Sequence, residues 1–231
     1  AFVAQLQEAM SVIQLGRAKQ FVGSHAQMFK GLLKAFGPTV LQRFYPFLTA
    51  FSTEAHIPGR ESSDVYMGKH CLAAELVGGL VRGHKYWPTA EQEQARAMVS
   101  QVISSVMSNT ETESFGIWAQ CLRFCVFDRH PRDVAWLTTL LFDNILPPQG
   151  GLGNSSLLAC KRLVLVKPVL KELTWRGSPL HRQLLHDLEP YLNHPYAQTR
   201  SCVGSSLAAL SWVSWHPPWP ESGDATASSQ G

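Results

Sequence analysis

The sequence predicts an all-α chain, a solenoid of antiparallel helix pairs. Three observations predict it. Apolar residues recur at spacings of three and four along most of the length. Helix-starting and helix-stopping residues fall between those runs. No segment shows the polar–apolar alternation of period two that a half-buried strand requires.

Within the first 36 residues, Phe21, Val22, His25, Met28, Leu32 and Leu33 share one helical stripe. Gly37-Pro38 opens a helix over 38–51, since proline suits a first turn, and Leu41, Phe44, Tyr45, Leu48 and Phe51 line its face. Residues 52–63 read as a loop. Leu72, Leu76 and Leu80 place a helix over 64–82, with Gly83 as its stop. After a break at 84–88, Thr89 and Gln92 have capping-box spacing ahead of Val99, Val102, Ile103 and Val106. Thr110 and Glu113 repeat that spacing ahead of Phe115, Trp118, Leu122, Cys125 and Val126.

Pro131 and Asp133 start the next helix, where an acidic side chain complements the helix dipole, and Val134, Leu137, Leu140 and Leu141 lie inside. The Pro/Gly-rich run 147–153 is a loop, and Asn154 and Ser155 can cap the helix after it. Residues 155–173 are apolar and should be broken near Pro168. Ser178 and Pro179 pair as cap and first turn. Leu180, Leu184, Leu185, Leu188, Tyr191 and Leu192 form the clearest stripe of the chain, turned by Asn193-His194-Pro195. A last helix runs from about Tyr196 to Trp212, with Thr199, Val203, Leu207 and Leu210 inward. This gives a helical-repeat segment over 1–213. The Trp/Pro/Ser-rich residues 214–231 are expected to form a disordered tail.

Nine or ten helices with short links make antiparallel neighbours. Pairs of roughly 40 to 47 residues fit HEAT or armadillo stacking. The period is irregular, however: the His-Pro turns at 130–131 and 194–195 match no single repeat length.

Composition narrows the class. With 231 residues, 45% of them apolar and 16% charged, the chain can bury a sizeable core and is too apolar to be disordered. A net charge of +3 marks no nucleic-acid binder as a whole. Residues 154–200 are locally basic: Lys161, Arg162, Lys167, Lys171, Arg176, Arg182 and Arg200 face only Glu172, Asp187 and Glu189. The cysteines at 71, 121, 125, 160 and 202 read as free thiols of a reducing compartment. No apolar run reaches the length of a membrane span. The start at Ala1-Phe2-Val3, without an initiator Met and with an uncapped apolar first helix, reads as a piece of a longer chain.

The chemistry-bearing residues form no recognisable site. Cys121 and Cys125 share a helix face but lack the second ligand pair that zinc needs, so they read as core thiols. His70 and Cys71 are adjacent and point about 100° apart on a helix, which prevents a nucleophile–base pair. Gly150-Gly151-Leu152-Gly153 precedes a helix but lacks the Lys-Ser/Thr of a phosphate loop. Lys161 and Arg162 just downstream leave weak anion binding open. His130, His181, His186 and His194 read as scattered surface histidines. The basic stretch reads as a solvated face, with Trp175 alone placed to stack on a base. No catalytic, cofactor-binding or metal-ligating set is expected, and no cofactor. In a helical solenoid that points away from an enzyme.

Three stretches resemble one family, the large HEAT-repeat proteasome activators (proteasome activator complex subunit 4). The first runs from Ala74 to Trp87 as Ala-Glu-Leu-Val-Gly-Gly-Leu-Val-Arg-Gly-His-Lys-Tyr-Trp. The second is Trp118 and Cys121 with Asp128, Pro131, Arg132, Trp136 and Leu137. The third is Leu188-Glu189-Pro190-Tyr191-Leu192 with Tyr196, Arg200, Val203, Gly204, Ser205 and Leu207. The resemblance implies a segment of a dome of HEAT-like repeats that caps the proteasome core particle and stimulates peptide hydrolysis without ATP, hydrolysing nothing itself. It implies the nucleus and cytoplasm as location, and links to DNA repair and to acetylated-histone turnover through regions absent here. Two departures bear on this. The family's C-terminal hydrophobic-Tyr-any tail is missing, since the chain ends Ala-Ser-Ser-Gln-Gly. The acetyl-lysine-reading region of the family lies further toward its C-terminus. The alternative expectation is a HEAT-repeat adaptor of the transport-receptor type, binding a peptide or polyanion. No membrane partner is expected.

Overall fold

A computed structural model describes Gln5 and residues 20–53, 63–109, 112–145, 156–174 and 177–214. Among these residues there are nine α-helices and no strand. They are α1 (Gly23–Phe36), α2 (Pro38–Thr53), α3 (Ser63–Gly83), α4 (Thr89–Asn109), α5 (Phe115–Val126), α6 (Ala135–Asp143), α7 (Ser156–Glu172), α8 (Pro179–Leu188) and α9 (Ala197–Ser211). Short 3₁₀ turns at His84–Tyr86, Thr112–Ser114 and Glu189–Asn193 join three of the pairs. The expected all-α, HEAT-like solenoid is the observed fold class.

The most extensive packing is between helices two apart in sequence: α1 on α3, α3 on α5, α5 on α7 and α7 on α9. Cross-seam contacts climb together along both partners. Glu75 meets Val22 and Trp87 meets Leu33, while His70 meets Trp118 and Arg82 meets Phe127. The odd-numbered helices therefore form one row of parallel helices. Consecutive helices, joined by short links, run antiparallel, and α2 packs on α4 and α6 on α8 across the second layer. Most of the stripes read from the sequence are buried, among them Leu41, Leu48, Leu72, Leu80, Val102, Leu122, Leu137, Leu184, Val203 and Leu210, but two expected members, Met28 and Leu192, are exposed.

Three local expectations differ from the structure. The helix α7 continues through Pro168 without a break, as α2 does through Pro46. A proline leaves one carbonyl four residues upstream without its helical donor. Here those carbonyls belong to Gln42 and Val164, both on exposed residues where water can reach them. The helix expected from Pro131 starts instead at Ala135. Residues 131–134 are turns, with the Asp133 N–H on the His130 carbonyl and the Ala135 N–H on that of Arg132. The capping box expected of Thr89 and Gln92 does not form: the first helical bond runs from Gln92 N–H to the Pro88 carbonyl, so the cap is Pro88, which has no N–H for the Gln92 side chain to accept. The Gln92 side-chain amide donates to the Trp87 carbonyl at 2.7 Å.

Thr110, residues 146–155 and residues 215–231 lie outside the described residues. So do most of the expected 52–63 loop, the Gly150–Gly153 turn, Trp175 and Arg176. Ser214, the first residue of the expected tail, is held in place: its N–H donates to the Thr174 carbonyl at 2.6 Å and its carbonyl accepts from Gly177 N–H at 2.8 Å.

Candidate functional site

The stretch from Ala74 to Trp87 is a packing device that fixes α1 on α3. Gly79 is the contact point. A β-carbon there would lie 2.6 Å from Phe29 Cβ and 3.0 Å from the Ala26 carbonyl oxygen, so no other residue allows the helices this close. The N-terminal end of α1 is held by Glu75, whose carboxylate accepts from Val22 N–H and from His25 Nδ1, each at 3.1 Å. An anion there suits the unsatisfied amides of a helix start. The other end is held by Trp87, whose indole N–H donates to the Leu33 carbonyl at 2.9 Å. Gly37, at φ 65°, supplies the left-handed turn that ends α1 and donates to the same carbonyl.

Glu75 is fully buried. Burial raises its pKa to about 6, against the lowering effect of His25 and of the Val22 amide. In the sequence this residue stands out only as part of the resembling motif. The available signal is one carboxylate inside the apolar run from Cys71 to Val81.

On the next seam His70 is buried and accepts from Trp118 Nε1 at 2.8 Å, while Cys121 Sγ donates to the Ala74 carbonyl at 3.0 Å. Burial, and next the neighbouring Cys125, pushes the Cys121 thiol well up. Both thiols are inert core groups, as expected. All five cysteines are free; four are buried and Cys202 is half-buried. Among the described residues, no three His, Cys, Asp or Glu side chains stand together as a metal site. No described helix is long and apolar enough to cross a membrane.

At the C-terminal ends of α3 and α5, Arg96 and Arg129 act on His84, and Arg129 acts on Arg82 as well. Arg82 donates to the Phe127 carbonyl at 3.0 Å and lies 4.7 Å over the Phe124 ring. Arg96 donates to His84 Nε2 at 3.4 Å and stands over Trp136. His84 Nδ1 donates to the Leu80 carbonyl, so the ring is neutral. Burial, and then the neighbouring Arg96 and Arg129, hold its pKa below the usual histidine value. Burial first and Arg129 second lower that of Arg82. The Nε of Arg129 is buried without a hydrogen-bond partner. No sequence signal links these residues, which come from three separate segments.

The four histidines divide. His186 is exposed. His130 and His194 play one turn role twice: each Nδ1 accepts at 3.2 Å from the amide two residues on, past the proline. His181 is not a surface residue. It is buried, edge-on to Phe142, and burial lowers its pKa to about 4. It occupies the third helical position, where a capping box commonly has Glu or Gln, and its Nδ1 accepts from Ser178 Oγ at 2.8 Å.

The basic stretch does not assemble into one cationic face. Arg162 Nε donates to the Met107 carbonyl at 3.1 Å and so caps the last turn of α4. Lys161 lies over the Phe115 ring. Arg200 binds the carbonyls of His194 and Pro195. Lys167 and Lys171 line an open groove between α5 and α7, with Arg123 and its partner Glu172.

Comparison with known proteins agrees with this architecture. A family model described as proteasome activator complex subunit 4-like, HEAT repeat-like matches residues 1–168. Proteasome activator complex subunit 4 of Xenopus laevis is 31% identical over 209 residues, and that of Homo sapiens 30% identical over 209 residues. Proteasome activator subunit 4 of Arabidopsis thaliana is 25% identical over 216 residues. Each alignment covers 90% of this chain and 11% of the relative, so the chain spans about a ninth of the proteins it matches.

Proposed function

The chain belongs to the proteasome activator complex subunit 4-like, HEAT-repeat family, and from that membership we propose that it is wall in an activator of the proteasome core particle. In this reading the full-length parent caps the core particle and stimulates peptide hydrolysis without ATP, while the present segment carries shape and hydrolyses nothing. One observation carries the proposal. The resembling stretch from Ala74 to Trp87 is interior and mechanical: Glu75, Gly79 and Trp87 act on the neighbouring helix rather than on a ligand. A parent of this type works in the nucleus and cytoplasm, and any contact with acetylated histones belongs to regions outside this chain.

The test is co-purification of the full-length parent with core particles, followed by fluorogenic-peptide turnover. Binding with stimulated turnover is expected; absence of both would refute the reading. The 231-residue chain alone is expected to leave turnover at its basal rate. Stimulation by the chain alone would refute the assignment of a purely architectural role. Imaging of the tagged parent tests the location, and exclusion from the nucleus would overturn it.

A further inference from the structure

Partly buried cations ordinarily stand next to carboxylates. Arg82, Arg96 and Arg129 do not: no described carboxylate lies within ion-pair distance of any of them, and Asp128 acts on Arg82 only at longer range. Arg82 lies over Phe124, and Arg96 lies over Trp136 and donates to His84, so both are ordered without being neutralised; Arg129, whose Nε is buried without a hydrogen-bond partner, acts on Arg82 and His84 alike. Beside them, Phe127 and Tyr86 are half exposed at the ends of neighbouring parallel helices, 50% and 51% respectively.

We propose that this cluster docks an acidic peptide segment of a partner protein, with a carboxylate on Arg96 and Arg129 and an apolar side chain against Phe127. The arginine fork matches a carboxylate in a bidentate manner. The surroundings select against a long polyanion. Asp128 and Asp133 follow α5, and Glu91 and Glu93 precede Arg96 on α4. A nucleic acid running along α4 or the turn after α5 would bring successive phosphates to these acids, whereas a ligand with one or two carboxylates would not; Lys34 and Lys85 stand over the Tyr86 ring. The exposed rings favour a peptide over a free inorganic anion, which has nothing to place on them. The proposal concerns this chain's own surface and is independent of the core particle.

Fluorescence anisotropy of the chain with a labelled, C-terminally amidated Gly-Ser-Asp-Leu-Glu-Ser-Gly peptide, which carries two carboxylates, tests it. Saturable binding is expected. The Arg96→Gln/Arg129→Gln pair should weaken it about tenfold or more through loss of charge-assisted hydrogen bonds. Phe127→Ser should weaken it about threefold through loss of the apolar contact. Arg43→Gln, which removes the same charge from the exposed face of α2, should leave binding unchanged. Circular dichroism melts check the fold of each variant. If the double glutamine variant unfolds, Arg96→Lys/Arg129→Lys retains the charge and should bind detectably but more weakly. Equal binding of the Asn/Gln version of the peptide would overturn the proposal. So would full binding by a folded double variant. Displacement of the peptide by oligothymidine or inorganic phosphate at lower concentration than by unlabelled peptide would also overturn it.

Discussion

The seams at the two ends of the parallel row are built differently. Between α1 and α3 the backbones are brought together over Gly79 and fastened at both ends by buried polar groups, Glu75 and Trp87. Between α7 and α9 the described residues include no buried carboxylate or indole as a fastening; the buried polar pair there is Cys160 with Thr199 Oγ1, at 3.6 Å. Val166, Leu170, Val203 and Leu210 fill the contact. The seam is closed at its end by backbone alone, where Ser214 bridges Thr174 and Gly177. The first seam lies within the residues that the family model matches, while α9 lies wholly beyond residue 168. A seam of interdigitated aliphatics tolerates exchange of one hydrophobe for another. A seam of glycine contact and directed hydrogen bonds accepts few alternatives.

The largest expected effect separates the two seams by glycine. Gly79→Val drives a side chain into Phe29 and the α1 backbone and should cost about 3 kcal/mol, lowering Tm by about 10 °C. Gly204→Ala on α9 meets nothing within 4 Å and should gain about 0.5 kcal/mol of helix propensity. Equal Tm values for the two variants would break the comparison.

The next effect is on pH dependence. His181 titrates at about 4 in the folded chain and near 6.5 unfolded, so the unfolded state takes up the proton first on acidification. Its contribution is complete above pH 6.5 and is lost as pH falls toward 4. It amounts to about 3 kcal/mol, and His181→Gln should flatten that slope in denaturant titrations. Glu75 acts with the opposite sign. Its pKa is raised to about 6 on folding, so the protonated carboxyl favours the folded state. That contribution is complete below about pH 4.5 and is lost as pH rises through 6. Glu75→Gln keeps the acceptor for Val22 N–H. It should remove this slope and leave the variant more stable than the parent chain above pH 7. Stability lower than the parent's at pH 7.5 would show that the His25 ion pair outweighs desolvation of the carboxylate.

The smallest effect belongs to Arg123→Gln. Its ion pair with Glu172 is short, at 2.6 Å, but Arg123 is 58% exposed. The change in urea midpoint should correspond to less than about 0.5 kcal/mol.

Most of the helices are legible in the sequence because their inner faces are leucine and valine stripes, and a stripe of period 3.6 survives any detail of packing. Three of the misreadings occur where a residue type has two uses. Proline usually breaks a helix, yet Pro168 sits where water can reach the freed carbonyl. Histidine usually lies at the surface, yet His181 fills a capping position from inside the core. Arginine usually counts as surface charge, yet Arg162 serves the end of another helix 55 residues away. The arginine cluster is illegible for another reason: its members come from α3, α4 and the turn after α5, and only folding unites them.

The packing of helices two apart also sets how the chain folds. Among the described residues, the long-range hydrogen bonds between helices join residues 37 to 55 apart in sequence, never one end of the chain to the other. Closing loops of that length costs little more than closing shorter ones, because the entropy grows only with the logarithm of length. Folding can then start at whichever seam forms first and spread to its neighbours, and unfolding can peel the row from an end. Contacts confined to neighbouring helices in this way favour stepwise folding at the expense of all-or-none cooperativity. Hydrogen exchange should therefore find α9 opening while the α1–α3 seam stays protected.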